Sequence, residues 1–431
     1  MSVEILERYG VSSEEAEGVR CKKAFSRMKK SLIFVSHPLV CGGVERALLS
    51  VLSFLSEEKF DITLLLTEKS GALLGEVPTY VRILEVPFAS LDRYELKHGR
   101  VPALKYCLLH LHWIRALRML GMRFAWAIGG RKDNYNLRVI RDMMKRVDVK
   151  RMPTQSDFAF AYAGGVLIGS IVHDLIHASV TAIWCHNENE IGLMKSNVYD
   201  ALHAHFTHRF ATGQMASRLN EVLKERTSYY ESLPYYVDPD LYRRMAESDP
   251  GFTDSYEGLR ILTVGRLSHQ KGIDEAIRMA VRLKTEGLKF RWYVVGDGEE
   301  HEILQRQIDE ANIGKQFILL GQKLNPYPFF RECDIYAQPS RWEAFCLTLA
   351  EAKVFRKPII VTDFVGAREQ IQDGKTGLIV PLGDYETFYL GIVSLLSDAE
   401  LRERLKGMLL KENTDSTLNA LESWRELLGV L

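Results

Sequence analysis

The chain has 431 residues, 46% of them hydrophobic and 26% charged, with 56 Lys and Arg against 56 Asp and Glu. At roughly 100–200 residues per domain this length suits two domains, with three as the upper bound. The balance excludes a disordered tail protein, a collagen-like chain and a strongly basic nucleic-acid coat, although a zero sum does not exclude a local segregation of charge.

Residues 1–30 carry Glu4, Glu7, Glu14, Glu15 and Glu17 where a leader peptide needs cations and then an apolar core. They are read as an N-terminal extension of a cytoplasmic chain. Six cysteines, Cys21, Cys41, Cys107, Cys185, Cys333 and Cys346, are widely spaced and form no Cys-x-x-Cys. That favours reduced thiols over a disulfide framework or a zinc site. The longest stretch without charge or histidine, Phe158–Val172, is 15 residues long, shorter than the roughly 20 that a membrane span needs.

Leu32–Val35 opens a series of short apolar runs. It leads through Ser36-His37-Pro38 to the paired Gly42 and Gly43, and then into a helical pattern, Val44–Ser56. Glycines let the backbone approach a ligand closely, and a helix N-terminus offers free N–H groups to an anion. A phosphate or a sugar hydroxyl fits there; a tight strand-to-helix turn is the plainer alternative. Ile62–Leu66 and Val81–Val86 continue the series.

Residues 91–152 interrupt it. They hold 15 Lys and Arg against 5 Asp and Glu, interleaved with Trp113, Leu117, Met119, Phe124 and Trp126. Between Asn134 and Val147 the helical period puts Arg138, Arg141 and Lys145 on one face and Ile140, Met144 and Val147 on another. Basic helices with an apolar face suit an anionic membrane surface, which would make the chain peripheral on the inner face of the cell membrane. No recognition motif accompanies the charge, so nucleic acid is not an expected partner. The alternative is a solvated basic face packed on the core.

Phe158–Tyr162, Thr181–Trp184 and Phe210–Thr212 complete the first series. His186 follows the second of these runs, and the cluster His203, His205 and His208 is read as structural and solvated. Ser228–Glu257, with Pro234, Pro239, Pro250 and Gly251, reads as a helix-poor linker. A second series follows: Ile261–Val264, Trp292–Val295, Phe317–Leu320, Ile335–Ala337 and Ile359–Val361, with helical patterns at Ile273–Lys284 and Glu299–Ala311. The chain ends in a helical pattern, Asp398–Leu428. Brief runs apolar on both sides, alternating with helices, predict an α/β protein with parallel sheets. The expected divisions are 31–235, 236–395 and, for the last helices, 396–431. Ligands of open parallel sheets bind beyond the carboxyl ends of the strands, which puts the site in the cleft between two such domains.

Three motifs face that cleft. In Gly265-Arg266…Lys271-Gly272, two cations stand at a strand's end, a clamp for a diphosphate or else solvated loop charges. Gly296-Asp297-Gly298-x-x-His301 lacks the third glycine of a dinucleotide fingerprint, and no acidic residue closes the next strand, so it reads as a structural turn. Glu343 precedes a helical pattern that contains Glu351, about 12 Å further on at 1.5 Å per residue. That separation matches a sugar ring and a ribose joined by a diphosphate. The N–H groups of Phe345, Cys346 and Leu347 would lie between the two carboxylates, where phosphates belong. A surface pair of glutamates is the plain alternative. Arg266 and Lys271 can stabilise leaving-group charge by themselves. The one Asp-x-Asp, Asp238-Pro239-Asp240, lies in the linker, and neither a metal nor another cofactor is expected.

The order Gly265-Arg266…Lys271-Gly272, Gly296-Asp297-Gly298, Glu343-x7-Glu351, Asp363-x-x-Gly366-x-x-Glu369 and Asp373-Gly374-x-Thr376-Gly377 resembles glycosyltransferase family 4 (group 1). Asp157–Gly164 and Ala182-Ile-Trp-Cys-His186-Asn187 are similar to bacterial capsule and exopolysaccharide glycosyltransferases. The resemblance implies the GT-B fold, two facing Rossmann-like domains, and a retaining, metal-independent sugar transfer. It implies a nucleotide-sugar donor, UDP-linked by family tendency, and a glycan or lipid-linked acceptor in cell-surface polysaccharide synthesis. Gly265, Arg266 and Lys271 would hold the diphosphate. Glu343 would meet the donor sugar beside its reacting carbon, and Glu351 would bind the ribose hydroxyls. His186 would line the sugar side, and Gly42 and Gly43 would approach the phosphate or acceptor. Departures exist: Ala344 stands for a usual glycine, Cys346 for a proline, Arg356 for a glycine, and Tyr235 or Tyr236 for a linker asparagine. They leave the donor open. A GT-B protein that binds sugars or partners without catalysis, and a GT-B epimerase or phosphorylase, remain as alternatives.

Overall fold

A computed structural model describes residues 29–55, 59–110, 112–113, 115–117, 119–120, 139–186, 201–223 and 229–429. Residues 1–28, Asn187, and Phe124, Trp126 and Arg138 of the basic segment lie outside the described residues.

The strands are β1 Lys30–Ser36, β2 Phe60–Leu66, β3 Arg82–Glu85, β4 Gln155–Ala161, β5 His177–Trp184, β6 His208–Ala211, β7 Glu231–Ser232, β8 Leu259–Val264, β9 Phe290–Val295, β10 Phe317–Leu319, β11 Ile335–Gln338, β12 Ile359–Thr362 and β13 Leu378–Val380. They form a seven-stranded sheet, β3-β2-β1-β4-β5-β6-β7, and a six-stranded sheet, β10-β9-β8-β11-β12-β13. Pairing is parallel throughout; Ile33 of β1, for example, is in register with Thr63 of β2 and Ala159 of β4. Alternation along β1 explains the double burial: Leu32 and Phe34 pack with Phe160 and Trp184 on one face, while Ile33 and Val35 pack with Met143 and Ile168 on the other. Each sheet thus lies between two layers, and both turn their first strand's carboxyl end, Ser36 and Val264, into glycine-bearing loops.

The last helix, Ala399–Leu427, does not stay with the second sheet. It carries Trp424, fully buried, into the first domain's aromatic core, 5.6 Å from the ring centroids of both Phe160 and Trp184. The indole Nε1–H donates to the carbonyl of Pro234 at 3.2 Å.

Four sequence readings change. The stretch expected to be helix-poor holds the helix Pro239–Ser248. Asp238 caps it by accepting from the N–H groups of Asp240 and Leu241, and proline is tolerated in a first turn because its missing N–H is unsatisfied there anyway. Asp238-Pro239-Asp240 is therefore a capping signal. Two strands, β7 and β13, escape the apolar-run criterion: β7 is two polar residues, and β13 is a three-residue run set between Gly377 and Pro381. His203 is buried, not solvated, with its Nδ1 2.6 Å from the Tyr230 hydroxyl. In the basic segment, Met144 and Val147 face the core, not a membrane. Arg115 and Arg146 both pair with Asp92, itself fully buried, so two of the counted cations serve the interior.

Candidate functional site

The loop after β1 and the loops after β8 and β11 meet between the domains. Gly43 begins the helix Gly43–Phe54, and a Cβ on it would press on the Leu347 side chain, which opens the helix Leu347–Val354 of the second domain. Gly43 is therefore a close approach between the two helix starts. A Cβ on Gly42 would collide with the carboxylate of Glu45, which burial pushes above the usual carboxylate range and nearby Arg266 pulls back.

Lys271 closes a 3₁₀ turn after β8, and Gly272 follows in the left-handed region at φ 65°. A side chain on Gly272 would collide with the Pro339 carbonyl, so the glycine lets this turn lie against the loop that carries Glu343. There the Lys271 ammonium is ion-paired to Glu343 Oε1. Burial works against the Lys271 charge, but the Glu343 carboxylate outweighs it and raises the ammonium pKa above its ordinary value. Ser340 also donates to Glu343 Oε1 at 3.0 Å, and Gln270 donates to Oε2 at 3.3 Å. Behind Ser340 stand Gln338, donating at 2.8 Å, and Tyr336, donating to Gln338 at 2.7 Å. Glu343 is thus held by a chain of buried donors.

Arg266 is exposed at the mouth of the same loop, facing Glu45 and Lys271. Gly265, against which Lys271 Cε packs, sits directly before it. The turn Gly296-Asp297-Gly298 packs on this loop, because side chains on the two glycines would collide with the carbonyls of Gly265 and Leu267. That matches its reading as a structural turn.

Glu351 is 2% exposed. Tyr327 donates to its Oε1 at 3.3 Å, and Arg46 of the first domain faces it. Burial pushes the Glu351 carboxyl up to about 7, while Arg46, Tyr327 and Lys271 act in the opposite direction. Between the two glutamates, Cys346 stands at the helix start with φ 67°, a conformation uncommon for a residue with a Cβ. Burial pushes its thiol up to about 11, so it stays protonated. Phe345 packs 4.9 Å from the ring of Tyr235 across the cleft.

His186 ends at the same cleft beside Tyr162, Trp184 and Tyr235. Its Nε2 meets the Tyr162 carbonyl, which can only accept, so Nε2 carries the proton and Nδ1 accepts from the Tyr235 hydroxyl. Burial lowers its pKa to about 4. The ring is neutral with both nitrogens engaged, a wall and not a proton carrier.

Sequence reasoning passed over Arg46, Gln270, Tyr327 and Ser340. Arg46 had a signal: an arginine in the first turn of a mostly apolar helix must find a partner if buried. Lys271 and Glu343 were read as separate contacts to a ligand, and the structure pairs them. Among the described residues no group of three His, Cys, Asp or Glu side chains is gathered as for a metal ion.

Residues 253–407 match the family model described as Glycosyl transferases group 1. The chain is 33% identical over 147 residues to the N-acetylgalactosamine-N,N'-diacetylbacillosaminyl-diphospho-undecaprenol 4-alpha-N-acetylgalactosaminyltransferase of Campylobacter jejuni, covering 34% of this chain and 40% of that protein. It is 27% identical over 169 residues to the capsular polysaccharide biosynthesis glycosyltransferase CapM of Staphylococcus aureus, covering 38% of this chain and 43% of that one. These matches therefore span about two-fifths of the relatives' own length. Among solved structures, Anabaena HepE in complex with UDP and glucose superposes on 94% of this chain and 100% of its own, with a TM-score of 0.65 at 15% identity, a likeness of fold.

Proposed function

Because residues 253–407 match the family model of the group 1 glycosyl transferases and the two sheets form the GT-B fold, we propose that the chain transfers a sugar from a UDP-linked donor to a glycan or lipid-linked acceptor in cell-surface polysaccharide synthesis. The observation that supports this best is the convergence of Lys271, Arg266, Glu343 and Glu351 on one cleft beside Gly42 and Gly43. Arg266 and Lys271 receive the diphosphate as its bond to the sugar breaks, so the leaving charge develops against fixed cations and no metal is called for. Glu343, held by Ser340 and Gln270, faces the sugar hydroxyls beside the reacting carbon. His186, neutral and engaged at both nitrogens, has no base to offer. That is consistent with departure of the nucleotide from the face the acceptor attacks: the acceptor oxygen bonds to the sugar carbon as the sugar–phosphate bond breaks, the hydroxyl proton passes to the departing phosphate oxygen, and configuration is retained. Glu351 accepts from the ribose hydroxyls. The UDP reading draws support from HepE, solved with UDP and glucose, and the polysaccharide reading from CapM.

A thermal-shift series with UDP, GDP and ADP tests this. A nucleotide present at 100 times its Kd stabilises the folded state by about 2.7 kcal/mol. UDP is expected to raise the melting temperature, and Glu351→Ala to abolish most of that rise. No shift with any of the three would remove the donor site; nucleotide binding without transfer or hydrolysis of any nucleotide sugar would favour the non-catalytic reading.

The acceptor side carries its own feature. Leu96, Val101, Leu108, Leu109, Trp113, Leu117 and Leu120 are all exposed, Leu109 to 79%. They lie in helices of the same segment, 91–152, that carries the exposed cations Lys105, Arg141, Lys145, Lys150 and Arg151. Apolar side chains among lysines and arginines suit the surface of an anionic bilayer and a lipid-linked acceptor. Co-sedimentation with phosphatidylglycerol vesicles, absent with phosphatidylcholine and reduced by Leu109→Ser with Leu117→Ser, is the expected result. Equal sedimentation with both lipids would count against it.

A further inference from the structure

Arg46 crosses the cleft. It belongs to the helix Gly43–Phe54 of the first domain, yet its guanidinium donates to the Leu324 carbonyl and, at 3.3 Å, to the Tyr327 hydroxyl of the second. It also lies over the Tyr327 ring, 5.2 Å from its centroid. Cys41, just before the glycines, donates from its thiol to the Lys323 carbonyl at 3.5 Å. Tyr327 in turn donates to Glu351, so the contacts run Arg46 to Tyr327 to Glu351. Tyr242 completes the shell, stacked 4.2 Å from Tyr327 and hydrogen-bonded at 3.0 Å to Ser50, one helical turn beyond Arg46.

A carboxylate as buried as Glu351 would be neutral without compensation. Facing it are Arg46 from the first domain, Tyr327 and Tyr242 from the packed helices, Tyr336 from β11, and Lys271 from the loop after β8. Lys271 is ion-paired to Glu343, whereas the Arg46 guanidinium donates to neutral groups, the Leu324 carbonyl, the Tyr327 hydroxyl and the Cys41 sulfur, so its charge acts on Glu351. A protonated carboxyl has lost half its capacity to accept, whereas a ribose presents two hydroxyl donors.

We propose that Arg46 is a positioning residue for the nucleoside end of the cleft: from the first domain it keeps Glu351 ionised and turned by Tyr327, and so competent for the ribose hydroxyls. This rests on the glycosyl-transfer reading given above.

The test is the pH dependence of the Kd for whichever of UDP, GDP and ADP the wild-type chain binds, by calorimetry from pH 6 to 9. Binding needs the carboxylate, whose folded pKa is raised, so wild-type affinity falls as the pH drops through about 7. Removing a cation raises that pKa further. Arg46→Ala is expected to move the midpoint up by about one pH unit, which weakens binding about fivefold at pH 7 and about ninefold at pH 6, since one pKa unit is a factor of ten well below both midpoints. Arg46→Lys keeps the charge and should restore the wild-type midpoint. Glu351→Gln should bind weakly and show no midpoint. Arg46→Gln carries the test should the alanine variant not fold. A uniform loss at every pH, with the same midpoint in the alanine or glutamine variant as in wild type, would make Arg46 a packing residue and overturn the proposal. A wild-type chain that binds none of the three nucleotides would overturn the donor reading itself.

Discussion

Lys271→Ala should lower turnover by about 10²–10³-fold at saturating donor, the usual effect of removing one preorganised group from a developing negative charge. Lys271 sits against Glu343 at the end of β8, where the diphosphate's leaving oxygen is placed by the proposed reaction. The cation is mostly buried, with its side chain 14% exposed, so its charge acts through little water. Michaelis constants should change less, because Arg266 still meets the phosphates from the mouth of the loop. The same substitution leaves Glu343 buried without its cation, and breaking a buried pair from one side costs about 3–5 kcal/mol. Ser340 and Gln270 still donate to the carboxylate, so the lower end of that range is expected. Lys271→Arg should not restore turnover, because a planar fork does not reproduce a compact ammonium. Single-turnover kinetics separates the two effects. A kcat within threefold of wild type in a folded Lys271→Ala chain would remove Lys271 from the chemistry.

Trp424→Ala should destabilise the first domain by about 3–5 kcal/mol, the range for truncating a large buried aromatic side chain. The residue is fully buried among Phe160, Tyr162 and Trp184, although it arrives on a helix that starts beside the second sheet. The change also leaves the Pro234 carbonyl without the indole donor. At a few degrees per kcal/mol, the melting temperature of that domain should fall on the order of 10 °C. Calorimetry of the full chain is the measurement, since two domains need not unfold together. Trp424→Phe should recover part of the loss. A melting temperature within about 2 °C of wild type, where the expectation is several-fold larger, would mean that the last helix does not belong to this core.

Much of the architecture was legible locally. Strands such as β1 and β12, buried along nearly their whole length, read as apolar runs because helices cover both faces of a parallel sheet. Glu231–Ser232 could not be found that way, since its two polar residues become a strand only by lying beside Phe210 and Ala211. The helix Pro239–Ser248 was hidden for a different reason: proline was weighed as a breaker, whereas after the capping Asp238 it begins a helix. In the site, the glycines and the two glutamates were visible as spacing. Their partners were not, because Arg46 and Tyr327 are 281 positions apart and nothing in either neighbourhood names the other.

Two α/β domains, the glycine-bearing loops at their strand ends and the candidate charges in those loops can be read along the chain. These follow from interactions between residues a few positions apart, which burial periodicity and backbone sterics encode directly. Which charges meet is settled by folding. It paired Lys271 with Glu343, set Arg46 against the far domain, and turned Met144 and Val147 inward while leaving Leu109 and Leu117 exposed. A charge's partner and a side chain's exposure depend on which distant surfaces the folded chain brings together, and chain order alone does not specify that.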